Sequence, residues 1–246
     1  MVRFAQHFFG NIFRQKKKSP KRVPWPKQQS RLRCNMPSGP RSKTPATGSL
    51  SATNRLPTLK SKYKVPHFDG KGESDQIFTE LGVPTTFLLT SFYWDNSIHF
   101  GMGPKPGPDG KLGITLPTGD KKLPGFAAED IGKCAYGIFK KGHEFIGKTV
   151  GIASEHLTGE QMATVFSEAL GKEVRYNRVP PEVFRSFGFP GADDLGNMFQ
   201  FKRDFEGYFC GARSPELSRS LNPSLQTFDQ WLAQNKNRIP REENAA

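Results

Sequence analysis

The run TTFLLTSFYW, residues 85–94, most constrains the fold of this chain because it is apolar over nearly its whole length. Only threonine and serine hydroxyls interrupt it, and its aromatic and β-branched residues favour extended backbone. A strand that is apolar on both sides must be covered on both faces, as in a parallel sheet flanked by helices. The run therefore predicts a buried strand of an α/β fold.

Helix and strand signals alternate on both sides of this run, which also favours α/β architecture. The predicted helices are GKGESDQIFTELG (Ile77, Phe78 and Leu81 on one side), AAEDIGKCAYGIFKKG (Ile131, Ala135, Ile138 and Phe139 inward), GEQMATVFSEALG, PPEVFRSFG, GADDLGNMFQFKRDF and FDQWLAQNK. The further predicted strands are GITLPTGD, KTVGIAS and KEVRYNRV. Thr158 with Gln161, and Thr227 with Gln230, have the spacing of a capping box at a helix start.

Positive charge is concentrated at the start of the chain. Residues 1–68 contain 16 of the 36 Lys and Arg residues and none of the 23 Asp and Glu residues. The net charge of +13 therefore describes a tail, and it gives no support to nucleic-acid binding by the folded part. We expect a basic disordered segment over 1–60, a folded domain over 61–240 and a tail over 241–246, with nucleic acid contacted only through the basic segment.

Three interpretations of the basic segment remain open. MVRFAQHFFGNIFR places phenylalanines at helical spacing between arginines, as an organellar transit peptide does, which would imply mitochondrial import. KKKSPKR is typical of a nuclear-import cluster or a phosphate-binding patch. The segment can also be the product of a wrong start site or of a gene that lost its first half. Location in the cytoplasm or nucleus is the working expectation.

The three cysteines, Cys34, Cys134 and Cys210, are far apart and form no CxxC pair. We therefore expect a reduced compartment, with neither a disulfide framework nor a zinc site. No apolar run reaches the length of a membrane span.

Five stretches resemble the NmrA-like family, atypical relatives of the short-chain dehydrogenases, in family order. They are YKVPHFDGKGE, LGVPTTFLLTSFYWDN, LPTGDKKLPGFAAEDIG, GFPGADDLGNMFQF and LNPSLQTFDQWLAQNK. The resemblance implies a Rossmann domain that binds NADP(H). It also implies a redox sensor that regulates partner proteins with little or no turnover.

The chain departs from the family pattern before residue 62. Family members begin with a strand and a Gly-rich turn that holds the cofactor pyrophosphate, and this half is not recognisable here. We therefore expect an N-terminally truncated protein, with the C-terminal part of a Rossmann fold and a smaller α/β substrate-side region. GMGPKPG, residues 101–107, has the wrong spacing to replace that turn. An open sheet edge would also lower solubility unless residues 113–240 cover it.

By resemblance, the cofactor-binding residues are Lys71, Tyr93, Trp94, Asp95 and Asn96. Lys71 would contact the nicotinamide ribose, and the YWDN stretch would lie along the nicotinamide end. His67 occupies the place of the family's tyrosine acid, and we interpret it as non-catalytic. Alternatively, Lys71 is a solvated surface lysine. The alternative for YWDN is a strand end that packs its aromatic residues into the core.

No residue is predicted to be catalytic or to bind a metal. Glu129 and Asp130 are interpreted as acids that stabilise a helix N-terminus. Three functions remain open: an NADP(H) sensor with a regulatory protein partner, an NAD(P)H-dependent oxidoreductase of the isoflavone-reductase type, and a non-binding remnant or interaction module.

Overall fold

The computed structural model describes residues 56–240. The predictions for the basic segment therefore fall mostly outside the described residues, as does the predicted tail over 241–246. Residues 56–60 are described, and Leu56 is buried in the core. The side-chain Nδ2 of Asn197 donates to the carbonyls of Pro57 (2.9 Å) and Lys64 (2.6 Å), and these bonds fix the first described stretch to the helix Ala192–Asp204.

Helices and short strands alternate along the described residues. The helices are α1 Pro66–Glu80, α2 Asn96–His99, α3 Ala128–Lys140, α4 Gly159–Leu170, α5 Pro181–Arg185, α6 Ala192–Asp204, α7 Glu206–Gly211, α8 Pro215–Leu221 and α9 Phe228–Asn235, with 3-10 turns at Gly142–Phe145 and Lys236–Arg238. The strands are β1 Phe87–Leu89, β2 Phe92–Tyr93, β3 Lys105–Pro106, β4 Leu112–Leu116, β5 Leu123–Phe126, β6 Thr149–Gly151, β7 Glu155–Leu157 and β8 Val174–Arg178.

The strands form three small sheets. β1 pairs with β6 in parallel. β2 lies parallel to β5, which pairs antiparallel with β7. β4 lies parallel to β8 and antiparallel to β3. The predicted α/β class is therefore confirmed, with parallel pairing in each sheet.

The apolar run at 85–94 forms two strands instead of the single strand that was predicted. β1 pairs with β6 through Phe87↔Thr149 to Leu89↔Gly151, and β2 continues beside β5. The interruption falls at Thr90, whose carbonyl accepts a hydrogen bond from Arg213 Nε at 2.8 Å. A side chain thus takes the place of a ladder bond where the chain moves from one neighbour to the next.

Two apolar clusters form the core. The first packs large aromatic side chains between the β3–β4–β8 sheet and the helices α4, α6 and α9; its fully buried members include Trp94, Trp231, Phe166, Phe199 and Phe228. The second lies under α3 and includes Phe126, Ile131, Cys134, Ile138, Val150 and Ile152. α3 and α4 therefore bury the periodic faces that their sequences predicted, except that Phe139 near the end of α3 is exposed.

Side-chain caps set several helix starts. Both predicted capping boxes are present, Thr158 with Gln161 and Thr227 with Gln230. α1 begins at Pro66, earlier than predicted, because Asp69 Oδ2 accepts from the backbone N–H groups just before the helix.

The C-terminal half of α1 and the outer edge of β1 have few contacts within residues 56–240. Ile77 is 55% exposed and Leu81 is 71% exposed, so the apolar side of the helix faces away from the core. β1 pairs only with β6 among the described residues. These residues form an open apolar side of the described domain.

Gly151 in β6 allows the segment around Arg213 to approach the sheet. A Cβ at Gly151 would lie 1.6 Å from the carbonyl oxygen of Ala212. The close approach lets Ser214 N donate to the Gly151 carbonyl at 3.3 Å. The Arg213 segment is thereby held against β6.

We expect Gly151→Ala to lower the free energy of unfolding by roughly 3 kcal/mol, because two backbone segments must separate to admit the methyl group. Gly132→Ala is the matched control, since a Cβ there meets nothing within 4 Å. It should stabilise α3 by about 0.5–1 kcal/mol. Urea denaturation of both variants measures the difference, and equal stabilities would contradict the packing argument.

Candidate ligand site at the carboxyl ends of β1 and β2

α1, α6 and the segment 209–213 meet beyond the carboxyl ends of β1 and β2. In open parallel sheets, ligands bind outside the carboxyl ends of the strands. The position alone therefore makes this the candidate site of the described domain.

Lys71 lies on the part of α1 that packs beside α6. It is half-buried, and burial lowers the pKa of its ammonium group while the charge of Asp194 on α6 opposes that shift. His67, one turn earlier, lies with Nδ1 2.7 Å from Asp194 Oδ1. Asp194 therefore ties α1 to α6 and places a negative charge near Lys71.

Tyr93 and Arg213 meet at Thr90. The Tyr93 hydroxyl lies 2.8 Å from Thr90 Oγ1, and Arg213 Nε donates to the Thr90 carbonyl. Arg213 Nη1 also donates to the carbonyl of Phe209 at 3.1 Å, and the guanidinium lies 3.6 Å from the centroid of the Phe209 ring. Arg213 is only 7% exposed, and burial lowers its pKa to about 10.

Lys202 on α6 is the most deeply buried cation of the site, at 5% exposed. Its Nζ lies 5.8, 5.4 and 5.2 Å from the ring centroids of Phe68, Phe199 and Phe209. Burial, and then the positive charges of Arg213 and Lys71, lower the pKa of Lys202 to about 7. Three cationic groups thus share one apolar environment.

The structure separates the five residues predicted to bind a cofactor. Lys71 lies near Lys202 and Tyr93 lies near Arg213, both at this site. The Trp94 side chain is buried in the core, with its ring 5.1 Å from that of Phe228.

The two polar residues of the YWDN stretch make local structural contacts. Asp95 Oδ2 accepts from Ala128 N at 2.7 Å, at the start of α3. The Asn96 carbonyl accepts from Phe100 N (3.0 Å) and Met102 N (3.2 Å) in α2 and the turn after it.

Sequence reasoning missed Lys202 and Arg213. In FQFKRDF, Lys202 follows Phe199 by three residues, so helical spacing places a cation on the buried face of α6. A lysine on a helix face that the apolar spacing predicts to be buried was the signal that the sequence offered for Lys202. Arg213 gave no comparable signal, because it lies between two helices and only tertiary contacts bring it to Thr90.

Asp130 lies elsewhere and has structural partners. It is fully buried, and its carboxylate accepts from Asn222 Nδ2 at 3.1 Å and Gln226 N at 3.0 Å. It thereby joins the first turn of α3 to the loop before α9.

The residues predicted by resemblance belong to one end of a dinucleotide, with Lys71 at the nicotinamide ribose and Tyr93 along the nicotinamide end. Residues 56–240 contain no Gly-rich turn that leads from a strand into a helix and could hold the pyrophosphate. GMGPKPG packs instead beside Ser97 and Ile239, which a Cβ at Gly103 would strike. Within the same range, no three His, Cys, Asp or Glu residues are grouped to hold a metal ion, and no helix is long and apolar enough to cross a membrane.

The parallel pairing and the position of the site define an α/β protein of the Rossmann-related class. Comparison with known proteins gives the family: the sequence model of the NmrA-like family matches residues 52–232, so the chain belongs to that family. The predicted family is confirmed, and the chain is thus related to NAD(P)-binding proteins and to nitrogen metabolite repression regulators.

Curated relatives are distant. The NmrA-like family domain-containing oxidoreductase ptmS of Penicillium ochrochloron is 24% identical over 203 residues, 71% of this chain and 61% of that protein. The nitrogen metabolite repression protein nmr of Neurospora crassa is 35% identical over 129 residues, 48% of this chain and 26% of that protein. The chain therefore spans less than two thirds of the length of these relatives.

Solved structures confirm the fold. The crystal structure of NmrA, a negative transcriptional regulator, matches with a TM-score of 0.59 at 21% identity, covering 75% of this chain and 60% of that one. The crystal structure of NmrA in complex with NADP matches with a TM-score of 0.53 at 22% identity, and the match covers 65% of this chain and 55% of that one. The NADPH-dependent quinone oxidoreductase QOR2 of Escherichia coli, complexed with NADPH, matches with a TM-score of 0.52 at 19% identity. This match covers 69% of this chain and 60% of that one.

The stability of the chain should rise with pH above about pH 7, because the folded Lys202 loses its proton near there while the unfolded chain keeps one up to about 10.5. The slope contributed by one such group is at most about 1.4 kcal/mol per pH unit. Lys202→Met should remove that slope and stabilise the protein most at low pH, since it deletes a buried cation.

Urea denaturation between about pH 6.5 and about pH 8.5 measures this effect. The range ends there because burial raises the pKa of Cys134 to about 12, and a raised thiol pKa lowers stability above about pH 9. Lys148→Met is the matched control, an exposed lysine with Nζ 5.6 Å from one phenylalanine ring. Parallel pH profiles for the Lys202 variant and the unmodified protein would contradict the prediction.

Proposed function

We propose that this chain is a regulatory NADP(H)-binding protein that passes cofactor state to a protein partner without turning over a substrate. Its main support is the position of two residues, Lys71 on the part of α1 beside α6 and Tyr93 at the end of β2, each of which lies near one of the buried cations Lys202 and Arg213. The names of the relatives agree with a regulatory role, because the Neurospora crassa protein acts in nitrogen metabolite repression and NmrA is a negative transcriptional regulator.

Lys71 would hold the nicotinamide ribose by donating hydrogen bonds from its ammonium group. Half-burial suits this role, since a hydrogen bond from a partly desolvated cation is stronger than one in water. The Tyr93 ring would lie beside the nicotinamide, with its hydroxyl held by Thr90. When bound, the cofactor would supply hydride chemistry, which the redox-sensor role does not use.

His67 is the reason for proposing binding without turnover. It stands where the family's tyrosine acid would stand, and its Nδ1 is engaged by Asp194 at 2.7 Å. In that position the imidazole serves to join α1 to α6, and so to hold Lys71 at the site. A proton donor for a substrate oxygen would need a group directed toward the ligand.

The proposed affinity depends on the nicotinamide end. A pyrophosphate is usually bound by backbone N–H groups of a Gly-rich turn, and residues 56–240 do not contain one. We therefore expect weak binding by this domain, with Lys71 as its most important residue.

Thermal melting of the full 246-residue chain with increasing NADPH tests the proposal. A ligand that binds only the folded state raises the melting temperature, so we expect a saturable rise. Lys71→Met should weaken the apparent affinity about tenfold or more, because it removes a charged hydrogen-bond donor. Lys148→Met should match the unmodified protein.

Two outcomes would replace the proposal. A cooperative melt that ignores NADPH would leave an interaction module, for which the exposed Ile77 and Leu81 provide an apolar surface. NADPH oxidation that depends on an added quinone or carbonyl compound would establish an oxidoreductase, the activity named for the Penicillium ochrochloron relative.

A further inference from the structure

Lys202 and Arg213 are two buried cations that no carboxylate within residues 56–240 neutralises. Neither has an ion pair there, and the charged groups that act most strongly on Lys202 are Arg213 and Lys71, both positive. The titratable groups that act on Arg213 are Tyr93, Tyr208 and Cys210, and none of them is a carboxylate. The cluster therefore has an excess of positive charge in an apolar surrounding.

Such an arrangement is costly unless something compensates for it. An unpaired charge loses its hydration when it is buried, and two like charges repel each other more strongly where the dielectric constant is low. The three ring faces around Lys202 offset part of this cost. They do not accept its hydrogen bonds, and within residues 56–240 its ammonium group makes none to a protein oxygen.

Unused donors of both side chains are held around one ring. Arg213 directs Nε and Nη1 at backbone carbonyls, which leaves Nη2 available. Lys202 Nζ lies 5.2 Å from the centroid of Phe209, and the Arg213 guanidinium carbon lies 3.6 Å from the same centroid. Both cationic groups therefore lie close to the Phe209 ring.

We infer that Lys202 and Arg213 form a binding site for a small oxyanion, a carboxylate or a phosphate group, at the carboxyl ends of β1 and β2. Lys71 adds positive potential to this site. The low exposure of both side chains, 5% and 7%, restricts the ligand to a small group and excludes an extended nucleic-acid backbone. Carboxylate and phosphate oxygens match the planar donors of arginine.

Oxyanion binding at Lys202 and Arg213 does not require a dinucleotide. The bound anion would be a second ligand whose presence the domain detects at the same end of the sheet. The competing interpretation is purely structural, with Lys202 as a spacer that packs against three rings. The two interpretations differ in whether small anions stabilise the fold.

Thermal melting without nucleotide at about pH 6.5, where Lys202 keeps its proton, separates them when sodium phosphate, sodium acetate and sodium chloride are compared at equal ionic strength. We expect phosphate or acetate to raise the melting temperature saturably above that in chloride. The salt that acts identifies the ligand as a phosphate or a carboxylate. Lys202→Met should weaken this apparent affinity roughly thirtyfold or more, since it removes one of two buried charged partners.

Lys148→Met should retain the full response, because it removes an exposed lysine that also lies near a ring. Equal melting in all three salts would overturn the inference, and so would an anion response that survives Lys202→Met. The NADPH titration tests the cofactor proposal separately. If NADPH does not raise the melting temperature while the phosphate or acetate response depends on Lys202, the cofactor proposal is wrong and the oxyanion site is supported.

Lysine methylation of the unmodified chain tests the same site without relying on correct folding of the Lys202→Met variant. Reductive methylation with formaldehyde and a borohydride, followed by peptide mass analysis, reports access to each lysine amine. The anion that raises the melting temperature should slow methylation of Lys202 at least severalfold and leave Lys148 unchanged. Unchanged methylation of Lys202 would contradict an anion bound at its ammonium group.

Discussion

The hydrogen bond from Arg213 to the carbonyl of Thr90 is the contact on which the rest of the described domain depends. It lies where the apolar run passes from the β1–β6 sheet to the β2–β5–β7 sheet. The same segment is tied to β6 through Gly151, and His156 Nε2 in β7 donates to the carbonyl of Arg213 at 2.8 Å. One loop thereby fixes the relative position of two small sheets.

This structural role also creates the electrostatics of the site. Because Arg213 must be buried to reach Thr90, its charge is held in an apolar region beside Phe209, and Lys202 brings a second charge to the same ring. The packing of the fold and the electrostatics of the candidate site are thus coupled. The interaction that organises the sheets places uncompensated positive charge at the end of the sheet where α/β proteins bind ligands.

Resemblance to the NmrA-like family singled out Lys71 and Tyr93, which both lie at the candidate site, and their role as cofactor contacts stays a prediction. The environment of Trp94 did not follow from the sequence. An aromatic residue at a strand end suits a ligand or a core equally well, and only the packing of Phe228 and Trp231 against the ring decided for the core. The role of Asp95 could not be read from the sequence either, because its carboxylate accepts from the backbone N–H of Ala128 at the start of α3, 33 positions later in the chain.

The sequence by itself determined the α/β class, the family, and the helices whose starts carry local signals, such as the capping boxes at Thr158 and Thr227. These features depend on side-chain periodicity and on hydrogen bonds between near neighbours, which a linear pattern records. Only the tertiary structure decided that the run at 85–94 divides into two strands and that Lys71, Lys202 and Arg213 share one environment. Those results depend on contacts between residues that are distant in the chain, such as Phe87 with Thr149 and Arg213 with Thr90, and on the burial that those contacts produce.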